Sequence, residues 1–102
     1  MQLLLTGEII TAQEARRMGL VNEVTVLADL IPRAEAVAQS VISNARLGIE
    51  GVMKAVNRGI ELPWEQALAL EADLFGVCCK SEDKKEGTAA FLEKRTAKFT
   101  GR

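Results

Sequence analysis

Phe91 and Lys94 are the residues of this chain whose types and spacing best suit recognition of a ligand. They stand three positions apart in the run Phe91-Leu92-Glu93-Lys94-Arg95, a separation that makes two residues neighbours on a helix surface. An ammonium beside an aromatic ring offers one group to an anion and one to a flat apolar body. Arg95 and Lys98 follow as secondary anion-binding candidates, and Phe99 as a terminal packing anchor. The charge distribution points to the same segment. The whole chain carries 13 Lys+Arg against 14 Asp+Glu, net −1, yet from Lys80 onward seven basic residues face four acidic ones. An anion would be drawn to this end of the chain.

Other chemistries find no support in the residues. With no His in the chain, mechanisms that use an imidazole base are excluded. Cys78 and Cys79 are adjacent, so a bridge between them would strain the backbone, and they are expected as free thiols that pack as small apolar groups. No second cysteine pair accompanies them, which leaves a zinc site without its usual ligands, and no metal is expected. No closely spaced glycines form a phosphate-cradling loop, and nothing in the spacing of the fourteen acids selects a pair for acid–base work. The residues therefore supply no catalytic centre. A net charge of −1 argues against a nucleic-acid partner. The absence of an uncharged apolar run of about 18 residues argues against a membrane span, and no secretory signal pattern opens the chain. A reducing, cytoplasmic location is the expectation.

The elements that must position Phe91 and Lys94 read as mostly helical. At 102 residues and 48% apolar content, one compact domain is expected. Met1–Leu5 looks like the last turn of a helix that began earlier, stopped at Thr6-Gly7. Thr11-Ala12-Gln13-Glu14 has the capping-box pattern, and a short helix over about Ala12–Met18 should end at Gly19. The β-branched stretch Leu20–Val26 predicts one short strand. Asp29 is placed to cap a helix with Leu30, Ala34, Val37, Ala38, Val41 and Ile42 on one face; Asn44 is placed to cap the next, with Ile49, Val52, Met53, Val56 and Ile60. Gly48 and Gly51 in that helix suggest close packing. Pro63 should open a further helix through about Cys79, whose apolar face of Trp64, Ala67, Leu68, Leu74, Phe75 and Cys78 is interrupted by Glu71. That carboxylate needs a cationic or amide partner, or a place at a rim. Ser81 caps the last helix, predicted to run to about Arg95. The fold class is thus mostly α: four helices of ordinary length, one short helix and one short strand.

Three stretches carry a recognisable pattern: LLLTGEIITAQEARRMGLVNEV, NRGIELPWEQALALEADLF and SEDKKEGTAAFLEKRTAKFTG. In this order they resemble the C-terminal third of the enoyl-CoA hydratase/isomerase (crotonase) family over essentially the whole chain. Leu5-Thr6-Gly7, Ala15 through Val21, and Glu86-Gly87 through Phe99 are the most specific parts. The resemblance implies that residues 1–102 form the helical region that follows the α/β spiral core of such an enzyme. It implies that the oxyanion amides and catalytic glutamates lie before Met1, so that no catalytic residue is expected in this chain. It also implies a homo-oligomer, a trimer or a dimer of trimers. In the family a Lys and a Phe of the last helix reach the phosphate and adenine region of coenzyme A bound to a neighbouring subunit, and these match Lys94 and Phe91. No cofactor is implied beyond the coenzyme A that is part of the thioester substrate.

A reading from a different class takes the chain at face value as a small helical module. Such a module would self-associate through the stripe of Ile49, Val52 and Val56 or that of Leu68, Leu74 and Phe75.

Overall fold

A computed structural model describes all of residues 1–102. It contains six α-helices: α1 (Gln2–Thr6), α2 (Ala12–Arg17), α3 (Leu30–Ile42), α4 (Arg46–Gly59), α5 (Trp64–Cys79) and α6 (Glu82–Leu92). A single 3-10 turn at Leu27–Asp29 leads into α3. The chain divides into two units, Met1–Glu35 and Ala36–Arg102, with the boundary inside α3.

In the first unit, both expected helix stops form. Gly7 closes α1 and Gly19 follows α2, at φ 64° and 77°. The Thr11 hydroxyl accepts the Glu14 amide at 3.2 Å, as the capping pattern requires. Glu14 does not complete the box. Its carboxylate turns to Arg17 instead, at 2.6 and 2.8 Å, and that charge-assisted bond lowers the Glu14 pKa. The strand expected at Leu20–Val26 does not form, and this stretch is irregular. A lone strand has no neighbour to satisfy its backbone groups, and every other element is helical.

The second unit is built around α4 and α5. The short connection between them places Gly59 opposite Ala67 and Gly51 opposite Cys78, so the two helices run antiparallel. A Cβ added to Gly51 would lie 3.5 Å from Cys78 Sγ, and one on Gly59 would lie 3.7 Å from the Ala67 Cβ. The close packing expected on this helix is therefore found at Gly51, whereas Gly48 faces open space. The Cys78 thiol donates to the Leu47 carbonyl at 3.5 Å, and both cysteines are free thiols.

Several expected boundaries shift by local chemistry. Asn44 does not cap α4; its side-chain amide donates to the Ser40 and Val41 carbonyls at the end of α3, and Ala45 is the N-cap residue. Pro63 precedes the first turn of α5 in an extended conformation rather than lying within it. Asp29 belongs to the 3-10 turn and makes no side-chain cap. Ser81 does cap α6, accepting the Lys84 amide at 3.0 Å.

The expectation of one compact domain is not met, because the chain divides into two units and buries few apolar side chains. Ala15 and Ala90 are the only buried apolar residues. The apolar stripes of α4 and α5 remain open, and a groove of about 1170 Å³ runs along them past Val52, Val56, Trp64, Leu68 and Phe75. Trp64 is 76% exposed. Glu71 lines this groove, is exposed, and joins none of the five ion pairs, which is the rim position expected for it. Helical periodicity fixes which face is apolar, but covering that face takes surface these residues do not supply.

Candidate functional site

The candidate site lies at the C-terminal end of α6. The helix stops at Leu92, three residues earlier than its periodicity suggests. Lys94 then adopts φ 54°, the only non-glycine residue with a positive φ. Two backbone bonds define the turn: the Lys94 amide donates to the Phe91 carbonyl at 3.3 Å, and the Arg95 amide to the Ala90 carbonyl at 3.0 Å. This is the Schellman arrangement, whose left-handed position favours glycine because a Cβ there crowds the backbone. The backbones of Lys94 and Phe91 are therefore joined by this turn, and the two residues do not share a helix face.

Both side chains are presented outward. Phe91 is 83% exposed and lines a depression of about 500 Å³ with Phe75, Lys84, Gly87, Thr88 and Phe99. Lys94 is exposed, is not part of that lining, and joins none of the five ion pairs. Arg95 is different. Its guanidinium donates to both oxygens of Glu86, at 2.6 and 2.9 Å, and to Glu93 at 2.6 Å. Glu86 first and Glu93 second hold it and raise its pKa, so its guanidinium is already engaged by two carboxylates. The Lys98 backbone amide donates to Glu86 at 2.7 Å, while its side chain joins no ion pair. Arg95 first and the Lys98 amide second bring the Glu86 pKa down from 4.5 to about 2.

Residues 96–102 turn back along α6 toward its start. The Phe99 ring fills the space a side chain would take at Gly87, with a ring carbon 3.3 Å from the would-be Cβ, as suits a terminal anchor. Asp83, only 1% exposed, accepts the Thr100 amide at 2.6 Å and the Gly101 amide at 2.9 Å. The part Asp83 plays in holding the tail was not foreseen from the sequence. The one available signal was an acid at each of positions 83 and 86, a helical turn apart, but the contact partners are 9 to 18 residues away along the chain.

An exposed ring and an uncommitted ammonium three residues apart at a well-anchored turn suit a ligand with a flat base and a phosphate. The family model described as enoyl-CoA hydratase/isomerase matches residues 1–102. The chain belongs to the enoyl-CoA hydratase/isomerase family. It is 42% identical over 98 residues to a crotonyl-CoA hydratase of Syntrophomonas wolfei, a match covering 96% of this chain and 38% of that protein. A probable enoyl-CoA hydratase of Mycobacterium leprae is 42% identical over 102 residues, across 100% of this chain and 40% of that protein. Among solved structures, an enoyl-CoA hydratase from Bacillus anthracis superposes with a TM-score of 0.95 at 32% identity, covering 99% of this chain and 39% of that one. The chain thus spans about two-fifths of the length of these family members, and the helical architecture found here is a part of their fold.

Proposed function

We propose that residues 1–102 are the helical C-terminal region of an enoyl-CoA hydratase that acts on short-chain trans-2-enoyl-CoA thioesters. In that reaction, water adds across the conjugated double bond: its oxygen bonds to the β-carbon, one of its protons passes to a base, and a proton is delivered to the α-carbon. Glutamates move these protons and two backbone amides hold the thioester enolate. Those groups belong to parts of the enzyme other than residues 1–102. This region provides subunit contacts in a homo-oligomer, a role that the open apolar faces of α4 and α5 support. It also lends Lys94 to the phosphates and Phe91 to the adenine of coenzyme A bound to a neighbouring subunit. No helix is long and apolar enough to cross a membrane, which accords with a cytoplasmic enzyme. The proposal includes no cofactor beyond the coenzyme A of the substrate.

The observation that carries this reading is the state of Lys94. A lysine occupies a turn position that glycine fills at lower conformational cost, its ammonium joins no ion pair, and the ring three residues before it is exposed. A surface lysine with no ligand gains nothing from that arrangement. The test is Lys94→Ala in the hydratase, assayed by loss of the conjugated enoyl thioester. KM for crotonyl-CoA should rise by about tenfold with little change in kcat, and the pantetheine thioester should be unaffected. Equal effects on both thioesters would overturn the contact. Residues 1–102 alone should not hydrate crotonyl-CoA at all.

A further inference from the structure

Asp83 and Glu86 have no part in the coenzyme A contact just described, yet both are fully engaged. Asp83 Oδ1 accepts the Thr100 amide at 2.6 Å and the Thr100 hydroxyl at 3.3 Å, Oδ2 accepts the Gly101 amide at 2.9 Å, and the Asp83 amide donates to the Arg102 carbonyl at 3.1 Å. One turn further along α6, Glu86 holds the Arg95 guanidinium and the Lys98 amide. Phe99 lies on Gly87 between these ties. Only Glu93 and Lys94 separate the end of the helix from the first tied residue, Arg95. A non-glycine residue stays in the left-handed region only where its surroundings over-determine it. For Lys94 those surroundings are the two Schellman bonds on one side and the anchored tail on the other.

We propose that Asp83 and Glu86 are positioning residues for the coenzyme A contact: by tying residues 95–101 down along α6, they hold Lys94 in its left-handed conformation and so fix where its ammonium meets the phosphate. This rests on the Lys94 contact proposed above. Neither carboxylate touches the ligand. Asp83 faces the tail from a buried position, and Arg95 offsets the charge of Glu86.

The experiment compares Asp83→Asn and Glu86→Gln in the hydratase, each alone and combined with Lys94→Ala. Each single variant should raise KM for crotonyl-CoA about fivefold, leave kcat and the pantetheine thioester unchanged, and add nothing once Lys94 is already alanine. In the hydratase, the same variants should speed amide exchange at Thr100 and Gly101, and at Lys94 and Arg95, whose amides close the turn. Glu86→Gln keeps an acceptor at a partly exposed site, so it carries the test even if Asp83→Asn unfolds the segment. Additive effects with Lys94→Ala, equal losses on both thioesters, or unmoved amide exchange at Lys94 and Arg95 would each overturn the proposal. If Lys94→Ala by itself leaves KM unmoved, the coenzyme A contact has failed, and the positioning role falls with it by a separately visible route.

Discussion

The ends of α2 and α6 close with the same turn but with different residues in its left-handed position. After α2, the Gly19 amide donates to the Arg16 carbonyl at 3.1 Å and the Leu20 amide to the Ala15 carbonyl at 2.9 Å. After α6, Lys94 and Arg95 repeat both bonds to Phe91 and Ala90. Gly19 has open space around it, and the first side-chain tie after it is four residues on, where Glu23 accepts from Arg33 at 2.8 and 2.9 Å. Lys94 is followed at once by Arg95, bound to two carboxylates, and by a tail held on Asp83. Backbone hydrogen bonding dictates the shape of both turns. Glycine adopts that shape without strain, whereas lysine needs neighbours to hold it there. A side chain kept at such a position therefore signals a demand from outside the turn.

The strongest way to break the comparison is to remove the anchor at α6. Asp83→Ala leaves the part-buried Thr100 and Gly101 amides without their acceptor and should cost about 2 kcal/mol in urea unfolding of the hydratase, since donors stripped of a charged acceptor are the expensive case. An unchanged midpoint would show that the tail holds without Asp83. Gly19→Ala should cost about 1 kcal/mol, because it puts a Cβ into the left-handed position where no neighbours offset the crowding. The converse change sharpens the contrast. Lys94→Gly should stabilise the chain by about 1 kcal/mol in the same titration while weakening the coenzyme A contact, so that stability and function move in opposite directions. A loss of stability would show that the lysine side chain packs to structural advantage. The smallest effect is that of acid. Because the folded Glu86 pKa lies below its ordinary value, its contribution is fully present above about pH 4.5 and disappears as the pH falls toward about 2. Following the Lys98 amide by NMR through that window should show its tie to Glu86 loosening, and Glu86→Gln should remove that contribution.

Much of this was legible in local sequence. Thr11 and Ser81 cap their helices because a hydroxyl before a first turn meets a free amide close by. Gly7 and Gly19 stop theirs for the steric reason already given. Phe91 and Lys94 could be named as a pair because three residues of separation bring them close in either a helix or a tight turn. Leu20–Val26 misled, since β-branched composition describes a preference that only a partner strand can realise. Asn44 misled for a related reason: its amide can serve the helix before it as readily as the one after. Arg95 and Lys98 looked alike in sequence, and the fold separated them by bringing Glu86 against one guanidinium and the other's backbone amide.

By itself, the sequence determined the helical character, most helix ends, the absence of histidine chemistry and the family pattern, because each depends on residues within a turn or two of one another. The tertiary structure alone decided which cations stay free, that Asp83 is buried against the tail, and that Lys94 is held in a glycine conformation. Those outcomes depend on where residues 95–102 lie against α6. Contacts across such separations are selected by the packing of Phe99 on Gly87 and by hydrogen bonds to Asp83 and Glu86, and no local preference encodes that return path.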